Sequence, residues 1–248
     1  MKNEHIAGLH AVEAVLRQDP LRVLRLYVRR GRGDRRLQAL LTLAEQHGVP
    51  VEFVEARRLD GMAGGLRHQG VVALCKASAS LGTADLYRLL DGLEEAPFLL
   101  VLDGVTDPHN LGACLRSAEA ACVHAVIAPR HGAPGITPVV RKVASGAAER
   151  VPYVQVGNLA QTLDALRERG IWLVGTSDRA PRDLYAQDLT GPLALVMGAE
   201  GSGLRRLTAE RCDFLVRIPM CGQVASLNVS VATGVCLFEA VRQRRPAT

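Results

Sequence analysis

LALVMGAEGSGL, residues 193–204, and FLVRIPMCGQVASLNVSVA, residues 214–232, decide how this chain is read. A helix-like TGVCLFEAVRQR follows from residue 233. The apolar runs Leu193–Met197 and Phe214–Ile218 have the length and composition of buried parallel strands. Each runs straight into a loop of small and polar residues, Gly198 to Gly203 in the first case and Pro219 to Asn228 in the second. In open α/β sheets ligands bind outside the carboxyl ends of strands, so the two loops form a candidate site. The alternative is a pair of tight turns in which glycine only supplies positive φ.

The rest of the chain supports an α/β setting. Its 248 residues are 48% hydrophobic and 22% charged, enough to bury a sizeable core and unlike a disordered chain. No apolar run reaches the roughly 18 residues of a membrane span, and MKNEHIAGLHAVEAVL lacks the apolar centre of a signal peptide. A soluble, cytoplasmic protein without a membrane partner is expected. Six cysteines form no CxxC and no metal-spaced pairing with histidine, which points to buried thiols and to no metal site.

Charge is uneven. Residues 1–76 carry 13 Lys/Arg against 8 Asp/Glu, whereas residues 77–248 carry 17 of each. Arg22, Arg25, Arg29, Arg30, Arg32, Arg35 and Arg36 crowd into fifteen positions, the electrostatic footprint of phosphate binding. With 27 arginines and three lysines, coding bias explains the choice of arginine but not the clustering. A solvated basic face is the alternative.

Residues 1–76 read as a small αβ domain. A first helix includes Ile6 and ends near Asp19-Pro20. A half-exposed strand spans 23–28, and a helix capped by Asp34 carries Leu37, Leu40, Leu41 and Ala44 on one face. Strands at 51–54 and 71–74 complete it. Residues 77–96 read as a linker, small and polar at its start and then carrying a short helix-like segment. Residues 97–248 alternate strands at 98–102, 124–128, 153–156, 171–175, 193–197 and 214–218 with helices, notably 110–121, 138–148 and 158–169. That order predicts a mostly parallel sheet covered by helices on both faces.

The usual nucleotide chemistries are missing: no GxGxxG follows a strand, no GxxxxGK[ST] occurs, and no GxSxG surrounds a serine. What remains is LDGVTDPHNLGACLRSAEAA, residues 102–121. Asn110 reads as the cap of a helix with Leu111, Leu115, Ala118 and Cys122 inside. Arg116 falls off that face, with Gly112, Ala113 and Ala120 as small neighbours, which leaves room for a ligand that its fork could grip. A solvated helical arginine is the alternative.

Taken together, Asn110-Leu111-Gly112 with Arg116, then LVMGAEGSGL, then Ile218-Pro219-Met220 with Ser226-Leu227-Asn228-Val229-Ser230-Val231-Ala232, resemble the three motifs of the SpoU/TrmH ribose 2′-O-methyltransferases of the SPOUT superfamily. The likeness covers about 150 residues and extends to IAGLHAVEAVL and His68-Gln69-Gly70 in the N-terminal domain. It implies S-adenosyl-L-methionine as methyl donor, a C-terminal trefoil knot, an RNA-binding N-terminal domain and a homodimer through the catalytic domain. Threaded chains are rare, so no pattern rule would have produced the knot.

Carried over by position, the resemblance places the cofactor on Met197, Gly198, Gly203, Ile218, Met220 and Leu227. Asn110, Arg116, Glu200, Ser226 and Asn228 become active-site residues. Gln223-Val224-Ala225 departs from the small or serine residues usual before the third motif, and leaves every motif position intact. Arg116, a poor base because of its high pKa, is expected to orient the target ribose and stabilise alkoxide charge. Three functions stay open: methylation of a guanosine ribose in the peptidyl-transferase-centre region of 23S rRNA or its assembly intermediate, methylation of a tRNA ribose, and a non-catalytic RNA-binding or ribosome-assembly factor.

Overall fold

A computed structural model of the protein describes residues 3–77 and 80–245. Its elements in chain order are β1 (Asn3–Ala7), α1 (Leu9–Gln18), β2 (Val23–Arg29), α2 (Arg35–Gln46), β3 (Val51–Val54), α3 (Ala56–Ala63), β4 (Val71–Lys76), α4 (Thr83–Asp91), β5 (Phe98–Asp103), α5 (Pro108–Ala120), β6 (Ala125–Pro129), α6 (Pro138–Ala144), β7 (Tyr153–Val156), α7 (Leu159–Glu168), β8 (Trp172–Thr176), β9 (Arg182–Asp183), β10 (Leu193–Gly198), α8 (Arg206–Ala209), β11 (Phe214–Arg217) and α9 (Val229–Arg244). The chain divides into two compact units, Met1–Ala79 with Ile136–Arg150, and Ser80–Gly135 with Val151–Thr248.

The N-terminal unit holds a four-stranded sheet in the order β1-β4-β2-β3, with β3 parallel to β2 and the other pairs antiparallel. Ile6, Val12, Leu16, Leu26, Leu37 and Ala73 form its core. Asp34 caps α2 as expected, accepting the Leu37 N–H at 3.2 Å. Ile6, expected in the first helix, lies in β1, and α3 was not anticipated.

The compact N-terminal unit takes in, besides the expected 1–76, α6 and the 3-10 turn Ala147–Glu149. An ion cluster fixes them there. Arg141 Nε meets Glu149 Oε1 at 2.5 Å, Arg141 Nη1 meets Glu4 Oε2 at 2.9 Å, and Arg22 Nη2 reaches both Glu4 and Glu149. Burial opposes the Arg141 charge, yet the carboxylates of Glu149 and Glu4 outweigh it and raise its pKa. Removing one partner from such a cluster strands a buried charge, so the segment is held by mutual dependence. Within 77–96 the helix-like segment is α4, and its Leu86 and Leu90 are buried with Leu99 and Val101 of β5.

The C-terminal unit holds a seven-stranded, wholly parallel sheet in the order β7-β6-β5-β10-β8-β11-β9, flanked by helices. β5, β6 and β10 are buried along nearly their whole length, which is why they read as continuous apolar runs. β10 enters between β5 and β8, and β11 joins the far side of β8. The strand ends of β10, β8 and β11 are thereby brought side by side. Among the described residues, no helix is long and apolar enough to cross a membrane.

Candidate active site

The loop after β10 turns back on itself at once. Ala199 and Gly203 exchange backbone hydrogen bonds of 3.0 and 2.9 Å, with Gly201 and Gly203 at φ +76 and +66. Gly198 is the tight point: a Cβ there would lie 2.2 Å from the Gly203 carbonyl carbon and 2.3 Å from the Leu204 nitrogen. The far end of the loop is tied to β5 by Asp103, a fully buried carboxylate. Its Oδ2 accepts the Arg205 N–H at 3.0 Å, and its Oδ1 lies 2.8 Å from Arg205 Nε, although that N–H is not aimed at it. The sequence reading missed Asp103, whose one signal was an acid closing an apolar strand.

Around these loops lies a cavity of about 950 Å³. All six residues expected to hold the cofactor line it: Met197, Gly198, Gly203, Ile218, Met220 and Leu227. Glu200 and Ser226 line it as well. Thr176, Ser177, Asp178 and Arg179, from the end of β8, complete the wall and were not anticipated, although the strand-end rule applied to the 171–175 strand pointed to them.

Asn110, Glu200 and Asn228 come together. Asn228 Nδ2 donates to Asn110 Oδ1 at 3.0 Å and, at short range, to Glu200 Oε1, which also accepts the Val229 N–H at 3.3 Å. Asn228 caps α9, its Oδ1 accepting from the Ser230 N–H at 2.9 Å and from Ser230 Oγ at 2.6 Å. Asn110 is not the cap of α5. Pro108 at the first helical position moves the start upstream. Asp107 caps instead, its carboxylate held below the usual range chiefly by the His109 N–H, and the Asn110 side chain is left to meet Asn228. Cys122 also departs from expectation, lying past the helix end, exposed, at φ +56.

Arg116 is exposed on α5, about 9 Å along the axis from Asn110, and does not line the cavity. No acidic partner meets it among the described residues. Ser226 makes no described hydrogen bond and is exposed.

The arginines of the N-terminal unit divide. Arg22, expected at the RNA, has a side chain only 12% exposed that is committed to Glu4 and Glu149. Arg25 pairs with Glu52 at 2.8 Å, Arg30 with Glu55 at 3.5 Å, and Arg32 with Asp34. Arg29, Arg35 and Arg36 are exposed. Among the described residues no group of His, Cys, Asp and Glu could hold a metal ion.

Two family models match the chain: SpoU rRNA Methylase family over residues 97–238, and RNA 2'-O ribose methyltransferase substrate binding over residues 5–81. Proteins named 23S rRNA (guanosine-2'-O-)-methyltransferase RlmB are similar along almost their whole length. The one from Ralstonia nicotianae is 59% identical, covering 98% of this chain and 97% of its own, and the one from Pseudomonas putida is 57% identical with the same coverage. Among solved structures, the SpoU methyltransferase AviRb from Streptomyces viridochromogenes in complex with the cofactor AdoMet is similar with a TM-score of 0.80 and 27% identity, over 97% of this chain and 90% of that one.

Proposed function

The chain belongs to the SpoU rRNA Methylase family, and from that membership we propose that it moves a methyl group from S-adenosylmethionine to the ribose 2′-oxygen of a guanosine in 23S rRNA. The observation that carries this reading is the meeting of Asn110, Glu200 and Asn228 beside a cavity lined by every expected cofactor residue. Three motifs from distant parts of the chain converge there, which a pair of mere turns would not require.

The cavity suits the cofactor. Its volume lies in the roughly 300–1,000 Å³ range of small-ligand sites. Met197, Ile218 and Leu227 offer apolar walls for a purine and ribose, and Asp178 and Arg179 offer one charge of each sign for an amino acid's ammonium and carboxylate. When bound, the cofactor would supply an electrophilic sulfonium methyl group to the ribose 2′-oxygen. The protein's part is positioning, which can supply up to roughly 7–11 kcal/mol of barrier lowering. The capped α9 fixes Asn228, and Asn228 in turn fixes Asn110 and Glu200. Arg116 is assigned to gripping the target ribose and phosphate and to stabilising charge on the 2′-oxygen.

Transfer of labelled methyl groups to 23S rRNA and tRNA transcripts tests the reading. The expected product is 2′-O-methylguanosine in 23S rRNA, mapping to the peptidyl-transferase-centre region. Methylation of tRNA alone overturns the substrate, and no transfer to any RNA favours a non-catalytic binding factor.

The reading extends to a trefoil knot formed where β10 and β11 enter on either side of β8, with an experimentally traced chain as its check. It extends also to a homodimer through the C-terminal unit, supported by Val231 and Phe238, two half-exposed apolar residues seven positions apart on α9 and so on one helix face. Light scattering is expected to return twice the chain mass, and a monomer at micromolar concentration overturns the dimer.

A further inference from the structure

We propose that the N-terminal unit carries a phosphodiester-binding subsite for the substrate RNA, assembled from three segments far apart in sequence. The inference rests on the RNA-methyltransferase reading and adds where the backbone is gripped. Arg29, Arg30 and Arg32 come from the end of β2 and the turn after it, Arg67 from the turn before β4, and Lys142 from α6. All five line one cavity of about 730 Å³, where Asp60 is the one lining carboxylate among the described residues. Lys142 lies outside residues 5–81, which match the substrate-binding family, and within the range matched by the methylase family. The subsite therefore draws on chain that the sequence alone assigns to catalysis.

The cavity is built rather than a chance gathering of surface charge. His68 Nδ1 accepts the Gly70 N–H at 3.0 Å, so its proton sits on Nε2, which donates to Asp60 at 3.0 Å. That pair occupies the carboxylate and pins the turn from Gly65 to Gly70. Gly70, at φ +75, lets Arg32 lie across it: a Cβ would stand 2.8 Å from Arg32 Nη1 and 2.9 Å from its Cδ. Arg29, Arg67 and Lys142 have no acidic partner among the described residues. Arg30 and Arg32 are paired with Glu55 and Asp34, so it is Arg29, Arg67 and Lys142, facing one engaged carboxylate, that give the concave site its positive potential, and arginine forks match phosphate oxygens. Among the described residues no Phe, Tyr or Trp lines the cavity, so the platform on which a protein stacks an unpaired base is missing there. The chemistry favours backbone phosphate over base.

The test uses the full-length protein with a 23S rRNA transcript. Arg67→Gln combined with Lys142→Gln is compared with Arg57→Gln, which removes an exposed cation on α3 outside the cavity. The double variant is expected to raise the RNA KM about tenfold and to make the salt dependence of RNA binding shallower by about one to two contacts, while kcat and cofactor affinity stay as in the parent. Lys142→Arg, which keeps the cation, is expected to retain the parental KM. Equal melting temperatures would set folding aside as the cause. A double variant that matches Arg57→Gln in both KM and salt slope, with the parent enzyme active, overturns the subsite alone. A parent enzyme that methylates no RNA overturns the underlying functional reading instead.

Discussion

Replacing Arg116 with alanine is expected to lower kcat for RNA methylation by about 10²–10³-fold, the effect of deleting one preorganised charge partner of a transition state, with cofactor affinity unchanged. The split follows from position. Arg116 stands on the solvent side of α5 and is absent from the walls of the large cavity, so its loss removes nothing that touches the methyl donor. It also has no acidic partner to leave behind among the described residues, so the fold should not suffer. Arg116→Lys keeps the charge and loses the planar fork, and should recover only part of the rate. Calorimetric titration with the cofactor and single-turnover methylation are the two readouts. An alanine variant that binds cofactor normally and methylates at the full rate would falsify the assignment.

Gly198→Ala is expected to abolish measurable cofactor binding and to lower stability by about 1–3 kcal/mol, the cost of forcing a methyl group into a packed site. The added carbon would meet backbone atoms of Gly203 and Leu204 at 2.2–2.5 Å, and no rotamer change can move backbone aside. Relief requires opening the Ala199–Gly203 bridge, which shapes the loop under Glu200. Gly157→Ala is the control, because a Cβ there meets nothing within 4 Å. Unchanged cofactor affinity in Gly198→Ala would show that the loop does not form the binding wall.

Much of this site could be read from the chain because its parts are local. Parallel strands buried on both sides write themselves as unbroken apolar runs, and β5 and β10 lie where the runs lie. The loops at their ends hold glycines whose backbone is the functional surface, so type and spacing carry most of the information. What escaped depends on distance or on weak pattern. β1 is an edge strand, paired only with β4, and in NEHIA Ile6 alone is fully buried, which leaves no alternation to detect. α3 carries a glycine and two arginines, with only Leu59 and Ala63 buried. Arg22 looked like a phosphate contact because its partner Glu149 lies 127 positions away. Distance along the chain likewise hid Lys142 from Arg29 and Arg67.

The ion cluster of Glu4, Arg22, Arg141 and Glu149 has a consequence for modular exchange. The N-terminal unit is not a cassette that begins and ends with one stretch of chain, since residues 136–150 are part of its body. A chimaera that takes only the first 77 residues from a relative would bring a foreign surface to face Arg141 and Glu149, whereas one that also carries 136–150 would transplant both halves of the cluster. Recombination between such enzymes is thus constrained to move two separated segments together, and a single cut near residue 78 would leave the fragments interlocked.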